Sequence, residues 1–96
     1  MDKIEVENVN TPGKVTWVDA AKYTAMRHAL LAGLPKGAAP HSVKDLRAAL
    51  DPHLDQTLFP GGEKAGWWLK CVQLDLEAKG ILKREAGAPV RLSRAD

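Results

Sequence analysis

The sequence holds one cysteine, no long apolar run and almost no excess of either charge. Cys71 alone cannot close an intramolecular disulfide, so cohesion must come from a packed core and a reducing compartment is expected. Nothing approaches the about 20 consecutive apolar residues that span a bilayer. The opening Met1 to Glu7 lacks the basic start and apolar stretch of a secretory signal, and a cytoplasmic location with no membrane partner is expected. The formal net charge of +2 neither requires nor excludes a polyanionic partner, so the local distribution of charge must decide.

What is present suits one globular domain. Hydrophobic residues make up 45% and charged residues 27%, values that argue against disorder. Ninety-six residues allow a single compact but modest core. Residues 1–18 read as an extended arm. Ile4, Val6 and Val15 to Val18 suit strands around an Asn10-Thr11-Pro12-Gly13 turn, in which Pro sets the first central dihedral and Gly supplies a positive φ. A hairpin and an irregular arm both satisfy that pattern.

Residues 19–94 read as the helical domain. Asp19 caps a first helix from Ala20 to about Ala32, with Tyr23, Met26 and Leu30 on its apolar face and Gly33 closing it in a left-handed conformation. Ser42 caps a short second helix bearing Val43, Leu46 and Leu50, which Pro52 terminates. After the Phe59-Pro60-Gly61-Gly62 turn, the longest helix runs from about Glu63 to Lys79 and ends at Gly80. Two short runs, Ile81 to Glu85 and Val90 to Ser93, flank a Gly-containing turn and predict a β-hairpin.

The order of arm, three helices and hairpin, with Leu76-Glu77-Ala78-Lys79-Gly80-Ile81-Leu82 at the last helix-to-strand corner, resembles a winged helix over about residues 19 to 93. The resemblance implies an α+β, mainly α fold: three helices, a C-terminal β-hairpin wing and the extended N-terminal arm. A closer resemblance is to a family of small bacterial proteins of unknown function. It rests on Val6-Glu7-Asn8-Val9-Asn10-Thr11-Pro12-Gly13-Lys14, on Val18-Asp19-Ala20-Ala21-Lys22-Tyr23 and on Phe59 to Lys70 followed by Val72 to Gly80. It brings no activity with it. One departure from DNA-reading relatives is the long Asp51–Gly62 connection, where a helix-turn-helix has three or four residues.

The third helix carries the functional argument. At 100° per residue, Ala65, Trp68, Leu69, Val72 and Leu76 share one arc about 100° wide, the predicted core face. Trp67, Cys71, Leu74 and Ala78 form a second apolar stripe nearly opposite. Burial against the arm or wing explains that stripe; so does a partner surface, such as a two-fold dimer built on Trp67, Cys71 and Leu74. The flanks carry Lys64 and Asp75 on one side and Glu63, Lys70 and Glu77 on the other. Only Lys70 and Gln73 suit base reading, and the carboxylates repel phosphate.

The wing makes the case for nucleic acid. Lys79, Lys83, Arg84, Arg91 and Arg94 stand there against Glu85 alone. Weak DNA binding through phosphates is therefore expected of Lys83, Arg84 and Arg91, helped by Lys64, Lys70 and Gln73. A solvated hairpin whose charges protect an edge strand fits the same composition. The glycines before Glu63 and Lys64 suit an anion at a helix start, yet a turn that needs glycine dihedrals accounts for them.

No catalytic, metal or cofactor site is expected, and the chain is read as a non-enzyme. His28, His41 and His53 are scattered, and Asp51, His53 and Asp55 follow no established ligand spacing. Cys71 lies mid-helix without a local base, Ser42 is explained as a cap, and Tyr23 reads as core.

Overall fold

The computed structural model describes residues 2–96. Its N-terminal arm is a hairpin: β1 (Lys3–Glu7) pairs antiparallel with β2 (Val15–Asp19), Ile4 opposite Val18 and Val6 opposite Thr16. Lys14 N–H donates to the Thr11 carbonyl at 3.1 Å, and Gly13 takes φ +86°, the geometry a Pro-Gly turn demands. The hairpin forms its own two-stranded sheet and does not join the C-terminal one.

Helix α1 (Ala20–Gly33) starts where Asp19 accepts the Lys22 N–H at 3.0 Å, and it buries Tyr23, Met26, Ala29 and Leu30. Gly33 does not close it in a left-handed turn, as the sequence suggested. It stays helical because α2 (Val43–Leu50) packs onto it: a Cβ there would lie 2.9 Å from the Leu50 backbone nitrogen. Before α2 comes a two-residue strand, β3 (His41–Ser42), which the sequence did not signal. Ser42 then caps α2 through Asp45 N–H at 3.1 Å, and Leu46 and Leu50 face inward while Val43 is left exposed.

Single 3-10 turns at Asp51–His53 and Pro60–Gly62 fill the long connection, pinned by buried Leu54 and Phe59. Helix α3 spans Ala65–Ala78, starting later than Glu63 because Gly61, Gly62 and Lys64 all hold positive φ. It runs unbroken through Gly66. At its end Gly80 is left-handed, its N–H donates to Glu77, and Ile81 N–H donates to Leu76 at 2.9 Å, which satisfies the last carbonyls. The chain passes directly into β4 (Leu82–Glu85) and back through β5 (Arg91–Arg94), giving a three-stranded antiparallel sheet of order β3-β5-β4.

One apolar cluster joins all these parts. Tyr23, Met26 and Leu30 of α1 meet Leu69, Val72 and Leu76 of α3, with Val6 and Val18 from the hairpin and Leu82 and Leu92 from the C-terminal sheet. Phe59 meets Trp68 edge to face, ring centroids 6.4 Å apart. No helix among the described residues is long and apolar enough to cross a membrane.

Candidate binding groove beside the third helix

The predicted core arc of α3 is buried as read, but its second apolar stripe is divided. Leu74 is covered by the hairpin, and its carbonyl accepts the Val9 N–H at 3.3 Å. Cys71 is half-buried, and Ala78 is exposed. Trp67 is 60% exposed and rests edge-on against Trp68, centroids 5.0 Å apart. Neither sequence reading holds for the whole stripe: the hairpin covers the Leu74 level and leaves the Trp67 level open.

Asp75 fixes the hairpin at that level. The sequence placed this carboxylate on a charged flank; it is instead fully buried. One oxygen accepts the Glu7 N–H of β1 at 2.8 Å, while the other accepts from the Tyr23 hydroxyl and from Lys79 Nζ, the latter at 2.7 Å. A buried charge is tolerated when donors surround it in this way. Burial, then the hydrogen bond to Asp75 and its charge, push the Tyr23 phenol well above its ordinary range. The sequence did carry a signal for this cluster: Asp75 borders the apolar arc, three residues after Val72, and the facing helix offers a lone tyrosine.

Anchored there, the hairpin roofs a groove of about 430 Å³. Val6, Glu7, Thr16 and Val18 line it from the strands, Trp67, Lys70, Cys71 and Leu74 from α3, and Asn8, Thr11 and Lys14 from the turn end. The volume lies within the range of natural small binding sites, and the lining combines an apolar floor with a few polar groups at the rim. Lys14 and Lys70 are exposed and form no ion pair among the described residues. Burial, then the nearby Asp75 carboxylate, raise the Cys71 thiol, so it stays protonated at neutral pH and is a poor nucleophile.

The six residues read for nucleic acid fall in separate places. Gln73 is only 5% exposed and donates to Glu77 at 3.2 Å, so it presents nothing to a base edge. Arg84 grips the same Glu77 carboxylate with two guanidinium nitrogens, and its charge is matched at the foot of the C-terminal sheet. Lys79 and Arg94 are likewise paired, with Asp75 and Asp96. Lys64 is exposed at the start of α3, and Lys70 belongs to the groove. Lys83 on β4 and Arg91 on β5 remain exposed, with Glu85 directly across from Arg91. Counting Glu85 as the only carboxylate near the C-terminal hairpin overlooked Glu77, which lies far enough along α3 to reach the sheet. Among the described residues, no three His, Cys, Asp or Glu side chains gather closely enough to hold a metal ion.

Residues 3–92 match a protein family described as a family of unknown function, DUF6958. No curated protein and no solved structure matches the chain.

Proposed function

We propose, for a chain that belongs to the DUF6958 family of unknown function, a role in binding rather than catalysis: a winged-helix module that docks a protein on the groove between α3 and the N-terminal hairpin. The observation that carries this reading is Trp67, 60% exposed at an apolar groove whose other end is closed by its own hairpin. Tryptophan beside an apolar depression is the residue type that most often anchors an interface. The winged-helix part is supported by the order α1, β3, α2, α3, β4, β5, with β5 lying between β3 and β4. A binding role is favoured over nucleophilic chemistry because burial keeps the groove's one thiol protonated, and the Asp75 carboxylate beside that thiol is already taken by three donors.

Site-specific crosslinking tests the reading directly. A photoreactive amino acid replaces Trp67 in the protein expressed in its own cell, with the half-buried Lys22 position on α1 as control. A discrete protein adduct at position 67 and none at 22 is the expected result. Equal labelling at both positions, or none at either, disposes of a protein-docking face.

A second reading rests on Lys83 and Arg91, exposed on the wing without ion-pair partners among the described residues. They would hold duplex DNA weakly through phosphates, with little sequence preference. Mobility shifts at low and moderate salt decide it: binding that falls with salt and is lost in the K83A/R91A double variant supports it. No shift at low salt removes it.

A further inference from the structure

The hairpin has a free edge on β2, the strand that borders the groove through Thr16 and Val18. Glu7 N–H is taken by Asp75, so it points away from β2, and its cross-strand partner Val15 must point away from β1 in turn. Alternation gives Trp17 the same outward direction, whereas Thr16 and Val18 pair with β1. The N–H and C=O groups of Val15 and Trp17 therefore line an edge with no second strand among the described residues. Edge strands are usually guarded by charge or covered. The outward positions of β1 follow that rule, being Lys3, Glu5 and the Asp75-bound Glu7. Those of β2 do not: Val15 is 47% and Trp17 59% exposed.

We infer that β2 accepts an added strand: an extended segment of a partner protein, apolar at alternate positions and carrying an acidic residue. This rests on the protein-docking reading above and names the kind of partner. A strand laid beside Val15 and Trp17 sends alternate side chains to the groove side of the sheet, where Val18, Cys71 and Trp67 offer apolar contact. Lys14 and Lys70, which form no ion pair among the described residues, flank that path, and Glu7 is the only carboxylate among the groove's lining residues, so cations outnumber it two to one. The charge favours an acidic visitor over a second copy of this chain. A two-fold pairing of β2 with β2 brings Lys14 and Lys70 of both copies toward one shared groove and supplies no carboxylate from the inner positions Thr16 and Val18.

A displayed library of random peptides, about eight residues long to match a strand, is selected on the wild-type protein. Enriched peptides are expected to alternate apolar residues with at least one Asp or Glu. Binding should move the backbone amide signals of Val15 and Trp17 and the Trp67 indole signal. Methylating alternate backbone nitrogens of the peptide, which leaves the protein untouched, should weaken binding about tenfold or more, the scale of one or two lost hydrogen bonds. V15P should do the same from the protein side, since it removes only an N–H that β1 does not use. Binding that ignores both changes but is lost in W67A overturns the added strand and leaves the docking reading standing. Binding untouched by W67A sinks the docking reading itself. A library that yields no binder, or a β2-dependent dimer seen by sedimentation, overturns the proposal.

Discussion

Asp75 accepts from a backbone amide of the hairpin, a phenol of α1 and the ammonium of Lys79, the residue that caps α3. Each donor lowers the free energy of a charge that would otherwise be intolerable in the core. Removing the tyrosine hydroxyl by Tyr23→Phe leaves the carboxylate under-satisfied, and urea titration should show a loss of about 1–3 kcal/mol. Alkaline pH probes the same contact. The phenol's folded value lies above its ordinary 10.0. Below about pH 10 both states hold the proton; above it the unfolded chain releases the proton while the folded chain keeps it, so stability falls as pH rises. Tyr23 is the only tyrosine. Its ionisation, followed by ultraviolet absorbance, should therefore be delayed past pH 10 in the native protein and normal in urea.

Two glycines in helices separate local preference from packing. Gly33 ends α1, where a Cβ would come within 2.9 Å of the Leu50 backbone. Gly66 lies in the first turn of α3, and a Cβ there meets nothing within 4 Å. Alanine gains about 0.5–1 kcal/mol over glycine in a helix. Gly66→Ala should therefore raise stability by that order. In Gly33→Ala the gain is opposed by overpacking of about 1–3 kcal/mol against rigid backbone, and a net loss is expected. Thermal melts of the two variants should move in opposite directions; matching shifts would mean that α2 yields where the packing says it cannot.

The whole molecule is organised around α3, with the N-terminal hairpin on one side and the sheet β3-β5-β4 reached directly from its C-terminal end. The Cα radius of gyration is 12.8 Å. A compact domain of this length is expected near 12–13 Å, roughly the same figure, so the hairpin lies against the body. Asp75→Ala strands the Glu7 amide and the Tyr23 hydroxyl and should loosen the hairpin before the helices. Small-angle scattering should then show a larger radius while helical circular dichroism persists. An unchanged radius would mean that Val6 and Val18 hold the hairpin without help.

Local chemistry determined the punctuation of this fold. Asp19 and Ser42 as caps, Pro12-Gly13 as a turn, Gly80 as a terminator and the inward arc Ala65, Trp68, Leu69, Val72 and Leu76 depend on near neighbours in the chain, and each was readable. What the sequence left open were outcomes of long-range meetings. Gly33 is helical because Leu50 approaches from another helix, and Gln73 and Arg84 are withdrawn because both reach Glu77. Asp75 is buried because β1 arrives from 68 residues away. Periodicity assigns a side chain to a face of its own helix, but it does not say what that face will meet. For Trp67, left uncovered where the hairpin ends, that meeting made the difference between core and surface.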